Sequence, residues 1–323
     1  MKPEELKGQK VAVTGSAGVI GRELLRRLCD VGAEVLSWDR EALPAHEAWP
    51  GVTHIQSDLS TADLRPLKAF APRKIFHLAA AFERSVETPE FWEANWRDNV
   101  LVSHRLAEAL RGMDATEVCV FASSYLIYST SLYMFQQPQA QAHCLSEDAK
   151  VTTRNLCGAA KLYAEREFEF VHELVRPSLR NVFARIYRVY GRGSRDIVSR
   201  WIRAALRGEE LTVYNPENRF DYIFAGDVAE GLLRLGLSPE ARGVINLGSG
   251  NARCVREVTE LLQELLPNSR LRIRQSGSTA PFAASCADIT RLKQLLHWQP
   301  ATPLEHGMRL VCEYEQQRLP QSR

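Results

Sequence analysis

Lys10-Val11-Ala12-Val13-Thr14-Gly15-Ser16-Ala17-Gly18-Val19-Ile20-Gly21 is the stretch that decides the fold. Its first five residues form a short β-rich run that ends in a glycine turn, which reads as a strand. Apolar residues then recur at Ile20, Leu24, Leu25 and Leu28, so the spacing predicts a helix over 19–31. Glycines between a strand and a helix have a mechanical sense. Gly15 permits a tight turn, Gly18 lets the backbone approach a pyrophosphate seated on the helix N-terminus, and Gly21 lets helix and strand pack closely. A glycine triplet alone is a weak signal; the strand before it and the helix after it give it weight.

Outward from this stretch, strands and helices alternate. Residues 34–38 read as a second strand ending at Asp39, and 53–56 and 74–77 as further strands, the last followed by Leu78-Ala79-Ala80. A long apolar-rich helix covers 91–110, and a buried strand over 117–121 leads into Ala122-Ser123-Ser124. This alternation predicts an α/β chain with a doubly wound parallel sheet of Rossmann type. Residues 129–152 show no periodicity and read as a loop. A helix over 156–175 carries two apolar stripes. One is Leu156, Ala160, Ala164, Phe168, Val171 and Val175; the other is Ala159, Tyr163, Phe170 and Leu174. Both stripes need burial, one on the chain's own sheet and one elsewhere. Residues 181–186 are a strand, and 197–206 and 255–266 are short helices. Residues 222–224 and 244–247 read as strands returning to the main sheet. The expected division is a dinucleotide-binding domain over 1–190, with returning segments at about 220–248 and 283–290. The remaining segments of 191–323 make a smaller, discontinuous α/β domain at the C-terminal side.

The bulk numbers exclude several classes. With 323 residues, 45% hydrophobic and 25% charged, the chain has an ordinary globular composition. A net charge of +2 gives no whole-protein drive toward nucleic acid or membrane. Met1-Lys2-Pro3-Glu4-Glu5 is acidic and broken by proline, so it does not read as a signal peptide, and no apolar run approaches a membrane span. The seven cysteines are scattered without C-x-x-C pairs, which points to a reducing, cytoplasmic setting and away from a zinc site.

Further motifs match a known pattern. Asn155-Leu156-Cys157-Gly158-Ala159-Ala160-Lys161-Leu162 lies downstream of Ser123-Ser124; Arg185-Ile186-Tyr187-Arg188-Val189-Tyr190-Gly191 and Asn246-Leu247-Gly248-Ser249-Gly250 follow. With the Thr-Gly-x-x-Gly-x-x-Gly opening, these resemble the extended short-chain dehydrogenase/reductase family, the NAD-dependent nucleotide-sugar epimerases and dehydratases, over residues 10 to 310. The resemblance implies a cofactor site made of Gly15, Ala17, Gly18, Val19, Ile20, Asp39, Asp58, Leu59, Leu78, Ala79, Ala80 and Lys161. Asp39 would accept the ribose hydroxyls and repel a 2′-phosphate, which favours NAD over NADP. Arg40 beside it is the counter-argument. Singly, Asp58 also reads as a turn or helix cap, and Ala79-Ala80 as packing.

The family's chemistry rests on Ser, then Tyr-x-x-x-Lys. Ser124 and Lys161 match that pattern, and Cys157 stands where the Tyr belongs. The i, i+4 spacing puts positions 157 and 161 on one helical face. A thiol has a suitable pKa for a base but lacks the reach of a phenol ring. Three readings stand: Tyr125 serves instead (Tyr128 lies three further on), Cys157 acts directly or through water, or the relay is absent and the protein only binds. Cys157 also reads as a small buried residue.

On the substrate side, Arg188 sits where the family has Asn, and Phe220 where it has an Arg, with Arg219 one place earlier. Nine Arg against four acidic residues between 180 and 219 suit phosphate binding, with Tyr190 as a further contact. Arg200, Arg203 and Arg207 also read as a solvated helix face. The expectation is an epimerase or dehydratase of a nucleotide-linked sugar working by transient hydride transfer. The alternatives are an NAD-binding regulator or scaffold without turnover, and a reductase of a non-nucleotide substrate. The helices 91–110 and 156–175, with Trp92 and Trp96, suit a homodimer of the family's four-helix kind; burial of both within one monomer is the plainer reading. No metal site is expected.

Overall fold

The computed structural model describes residues 3–45, 47, 49–81, 87–267, 269, 272–276 and 280–318. Met1 and Lys2 of the N-terminal segment, and residues 319–323 of the second domain's expected range, lie outside them. In chain order the first elements are β1 (Lys10–Thr14), α1 (Val19–Asp30), β2 (Glu34–Asp39), β3 (Val52–Gln56), α2 (Arg65–Phe70), β4 (Lys74–His77), α3 (Pro89–Asn95), α4 (Val102–Leu110) and β5 (Val118–Ser124). They are followed by β6 (Met134–Phe135), β7 (His143–Leu145), α5 (Leu156–Phe170), β8 (Arg180–Ile186), β9 (Arg188–Tyr190), α6 (Ile197–Arg207), β10 (Glu210–Tyr214) and β11 (Arg219–Phe224). The last are α7 (Ala225–Leu237), β12 (Gly243–Leu247), β13 (Ala252–Cys254), α8 (Val255–Leu265), β14 (Arg272–Ser276), β15 (Phe282–Ala287), α9 (Thr290–Leu296) and α10 (Leu304–Arg318).

The main sheet has seven strands in the order β12-β8-β5-β4-β1-β2-β3, and every pairing in it is parallel. Both faces are covered, so the inner parts of its central strands are mostly apolar rather than alternating with polar residues. The period of two still sorts them. Val11 and Val13 join one core, shared with α1 and α7, while Ala12 joins the opposite one. In β5, Val118 and Val120 go to the first face, Cys119 and Phe121 to the second. The strand order reverses at β1, which has β2 on one side and β4 on the other. That reversal opens a crevice at the C-terminal strand ends, the usual ligand position in such sheets.

A second sheet runs β13-β11-β15-β6, with β7 on β15 and β9 on β11, beside a separate parallel pair of β10 and β14. Its core is built on α6, α8 and α10 around Trp201, Phe220, Tyr222 and Met308. Here the sequence expectation needs correction. Residues 244–247 do join the main sheet through β8. Residues 222–224, and the strand within 283–290, do not: β11 and β15 lie at the centre of the second sheet. An apolar run such as Tyr222-Ile223-Phe224 reads alike in either sheet. Its place is set by β9, which carries the chain out of the main sheet at Tyr187. The 129–152 segment is also not a plain loop. It contributes β6 and β7 to the second sheet, strands too short to register any periodicity.

The helix expected over 91–110 is continuous but holds a π turn, Trp96–Leu101, between α3 and α4; α5 ends in another, Val171–Val175. Such one-residue expansions recur at functional sites. The two stripes of α5 part as geometry requires. Ala160, Ala164, Phe168 and Val171 are buried. Tyr163, Phe170 and Leu174 are exposed, the last at 71%, as are Val175 and the tryptophans Trp92 and Trp96 of the neighbouring helix. Burial of both stripes within one monomer is therefore excluded.

Candidate active site

The crevice is built on the glycine turn. Gly15 has φ +72°, and a Cβ there would stand 2.5 Å from the Ala79 backbone nitrogen. The turn and the end of β4 thus approach as closely as backbone allows, and only glycine fits. A Cβ on Gly21 would meet the Gly15 carbonyl oxygen at 2.3 Å, so the helix start folds tightly over the same turn. Gly18 is the exposed N-cap of α1, with no side chain between its backbone and the crevice. Val19 and Ile20 open the helix beside it. Asp39 ends β2: its carboxylate accepts the Ala17 N–H at 2.9 Å and the Glu41 N–H at 3.0 Å. Arg40 is held by the buried Asp98 at 3.1 Å, which also binds Arg97 at 2.7 Å. The cation that spoke for a 2′-phosphate already has a carboxylate partner.

Asp58 accepts the Ser60 N–H at 2.8 Å. Burial would raise its pKa, but the bonds from Ser60, with Arg40 and Arg97 beyond, lower it. Leu59 presents its carbonyl to Arg105 at 2.6 Å. Leu78 and Ala79 leave β4 with their N–H groups on Thr14, at 3.0 Å and 3.4 Å, and Ala80 is exposed at the crevice edge. The glycine cradle, helix N-terminus and terminal carboxylate suit a dinucleotide.

The strip expected to be catalytic lies across the crevice from β2. Ser124 is the last residue of β5, and its hydroxyl accepts the Leu126 N–H at 3.2 Å. Asn155 caps α5 by accepting the Gly158 N–H at 2.9 Å. A Cβ on Gly158 would lie 2.5 Å from the Leu126 carbonyl oxygen, so glycine lets the helix start press against the turn after Ser124. One residue earlier, Cys157 is buried, and Asn99 of the π turn donates to its sulfur at 3.8 Å. Lys161 extends over the Phe121 ring, 4.6 Å from its centroid. Burial pushes its pKa down to about 8, against the opposing pull of Cys157 and Glu165.

The sequence reading missed the frame around this strip. Asn99 accepts the Ala81 N–H at 2.7 Å and donates to Asn95 at 2.6 Å, tying the end of β4 to Cys157. His77 bridges Thr14 at 2.7 Å and Ser103 at 3.1 Å, and burial followed by the nearby Lys161 charge lowers its pKa to about 3. Glu165 pairs with Arg185 at 2.8 Å, both side chains only 3% exposed, and accepts the Ser123 hydroxyl. Nothing in the spacing of Glu165 and Arg185 along the chain declares the pair.

On the other side, Tyr125 is buried, stacked on Tyr187 at 5.0 Å between centroids. The hydroxyls of Tyr125, Tyr187 and Tyr222 are all buried and have no hydrogen-bond partner among the described residues. Arg188 lies over the Phe220 ring, 3.7 Å from its centroid, and is the register partner of Tyr222. Arg219 is engaged by the Gln139 carbonyl at 3.0 Å and Glu257 at 3.6 Å. Much of the expected arginine excess is likewise committed within the fold. Arg180 donates to the Leu235 and Gly236 carbonyls in the last turn of α7 and to the Ala241 carbonyl beyond it, Arg192 pairs with Glu23, and Arg203 with Glu315. Tyr190, expected as a substrate contact, sits in the second core, with its hydroxyl donating to the Leu304 carbonyl at 3.5 Å.

The crevice and the Ser–Lys strip are those of a short-chain dehydrogenase in its extended form, a Rossmann sheet with a second sheet beside it. Comparison with known proteins narrows this. Residues 11–248 match the NAD dependent epimerase/dehydratase family, and the chain belongs to it; it is an NAD-dependent enzyme of that kind. It is 28% identical to UDP-glucuronic acid decarboxylase 2 of Arabidopsis thaliana, over 97% of this chain and 69% of that one. It is 27% identical to the UDP-glucose 4-epimerase of Mycolicibacterium smegmatis, over 94% and 98%. The structure of MoeE5 in complex with UDP-glucuronic acid and NAD is similar at 30% identity and a TM-score of 0.81, covering 96% of this chain and all of that one.

Proposed function

We propose that this enzyme acts on a UDP-linked sugar, as an epimerase or a related enzyme whose reaction starts with oxidation of the sugar. The observation that carries the reading is Ser124 at the end of β5 together with a desolvated Lys161 on α5, which lies over the β5 residue Phe121. Bound NAD supplies the hydride acceptor. The residues that would hold it are Gly15, Ala17, Gly18, Val19, Ile20, Asp39, Asp58, Leu59, Leu78, Ala79 and Ala80. In this reading Lys161 binds the nicotinamide ribose and Ser124 hydrogen-bonds the reacting oxygen of the sugar. Cys157, which shares Lys161's surroundings and is oriented by Asn99, passes the hydroxyl proton through water, since its side chain is too short to touch the sugar.

A second assignment, with Tyr125 as the relay, is favoured by its buried hydroxyl, which has no hydrogen-bond partner among the described residues. Two variants separate them. If the thiol is the relay, Cys157→Ser and thiol alkylation abolish turnover while Tyr125→Phe is milder; if the phenol is, the order reverses. UDP-glucose and UDP-glucuronic acid are the first substrates to try, with product analysis and the absorbance of reduced nicotinamide as readouts. If neither wild-type measurement responds while Cys157→Tyr creates activity, the native protein is a binder and the reading fails.

The second sheet with α6, α8 and α10 is the proposed substrate-binding part. Arg188, the guanidinium stacked on Phe220, is the favoured contact for the diphosphate. Arg188→Ala should then weaken UDP binding by about 1.5–3 kcal/mol, the range for hydrogen bonds to charged groups. A homodimer through α3, α4 and α5 is also proposed, supported by the contiguous exposed Trp92, Trp96, Tyr163, Phe170 and Leu174. A monomer mass by light scattering at micromolar concentration would remove it.

A further inference from the structure

One feature of the second sheet has no part in this chemistry. Strands β7 and β15 run parallel, and in their register Cys144 stands directly opposite Cys286. Adjacent strands lie about 4.7–4.9 Å apart. That spacing falls inside the window of about 4.4–6.8 Å between Cα atoms that a disulfide needs. Register partners point to the same face, and the two thiols are within hydrogen-bonding reach of each other. Both are free; Cys144 is exposed and Cys286 buried.

The surroundings hold the pair in place. Leu145, next to Cys144, presents its carbonyl to Asn246 at 2.8 Å and to the Asp288 N–H at 3.0 Å. The Cys286 thiol donates to Asp221 at 3.8 Å. The same carboxylate accepts the N–H groups of Ser249 at 2.7 Å, Gly250 at 3.0 Å and Ala287 at 3.0 Å.

We propose that Cys144 and Cys286 are a modification site, at which a hydroperoxide closes a reversible disulfide between β7 and β15. The Cys144 thiolate attacks hydrogen peroxide, forming an S–O bond, breaking the O–O bond and releasing hydroxide. The Cys286 sulfur then attacks the Cys144 sulfenic sulfur, and the S–O bond breaks as the S–S bond forms. The departing hydroxide takes the Cys286 proton and leaves as water. Two thiols are oxidised by two electrons in all, and one peroxide is reduced to two waters. The division of roles follows from position. Cys144 meets the solvent, while burial, then the Asp221 charge and Cys144 itself, push the Cys286 thiol up and keep it protonated until the sulfenic acid forms beside it. Such a bond suits a reducing compartment, where disulfides are transient and redox-sensing. It would also withdraw the thiol from Asp221, the anchor of the turn after β12.

The test uses the full chain with NAD present, treated with hydrogen peroxide, denatured, alkylated and mapped by mass spectrometry. The free thiols should fall from seven by two, with a peptide linking Cys144 to Cys286, and dithiothreitol should restore them. Cys144→Ser, a change at an exposed position that leaves the core intact, should abolish the linked peptide and leave Cys286 reduced. Cys286→Ser should divert Cys144 to sulfinic acid or to an adduct with added thiol. The proposal is overturned if Cys144 over-oxidises in the wild type while Cys286 stays reduced, or if the linkage joins other cysteines.

Discussion

Replacing Glu165 by Gln should destabilise the protein by at least about 3 kcal/mol, and the reason lies under the catalytic strip. The Glu165 carboxylate meets Arg185 through bonds of 2.8 Å and 3.1 Å, with both side chains almost wholly out of water. Neutralising one member of such a pair leaves the other as an uncompensated buried charge, at a cost of about 3–5 kcal/mol. Arg185 has two lesser supports, the Tyr128 ring 4.9 Å from the guanidinium and the Glu147 carbonyl at 3.4 Å. These place the expectation at the low end of that range. Equilibrium unfolding in urea measures it. Because Glu165 sits one turn past Lys161 on α5, the variant should also weaken NAD binding in the fraction that remains folded. Glu165→Leu combined with Arg185→Met should recover most of the stability, since a well-packed apolar pair removes the charge that was stranded. A loss below about 1 kcal/mol for Glu165→Gln, the size of an exposed pair, would refute the claim that this ion pair is desolvated.

Three other outcomes follow from the site. Asp39→Ala should weaken NAD and narrow its advantage over NADP, measured by calorimetry with both dinucleotides; equal or tighter NADP binding to the wild type would implicate Arg40 despite its contact with Asp98. NAD affinity should fall as pH rises through about 8, because Lys161, lowered by burial, is a cation below that value and loses its proton above it; Lys161→Met should bind weakly with a flat profile over the same window. Gly158→Ala should cost about 1–3 kcal/mol of stability through overpacking and reduce turnover, because its methyl group would meet the Leu126 carbonyl and push the start of α5 off the Ser124 turn.

The first half of the fold was legible because each local signal agrees with the global one. The glycine turn, the apolar strands and the helix stripes all specify a parallel sheet covered on both faces, and Gly15 and Gly21 sit where backbone contact leaves no room for a side chain. Legibility ended where placement depends on a distant partner. Tyr222-Ile223-Phe224 reads as a strand but not as a strand of a particular sheet. Tyr190 fits a substrate motif yet faces α10. The arginines between 180 and 219 read as a phosphate surface, but Glu23, Glu315 and the carbonyls at the end of α7 take much of that charge. Only folding reveals such partners, because they lie tens to hundreds of residues away in sequence.

The surroundings of Cys157 bear on what it is for. If position 157 had become simple packing, its supports would have no reason to stay polar and buried. They are both. Asn99 is held in the crevice by Ala81 and Asn95 and reaches the Cys157 sulfur, a weak acceptor, with a buried amide whose desolvation must be compensated. The π turn that presents Asn99 forgoes regular helical geometry in a helix otherwise well formed. Beneath it, Lys161 is kept in surroundings that lower its pKa, a cost with no return in packing alone. On the proposed reading, the polar and desolvated groups around this thiol serve to move a proton there. Cys157→Ala tests that directly: it preserves the small volume and removes the sulfur, so unchanged turnover would make Cys157 packing after all and shift the relay to Tyr125.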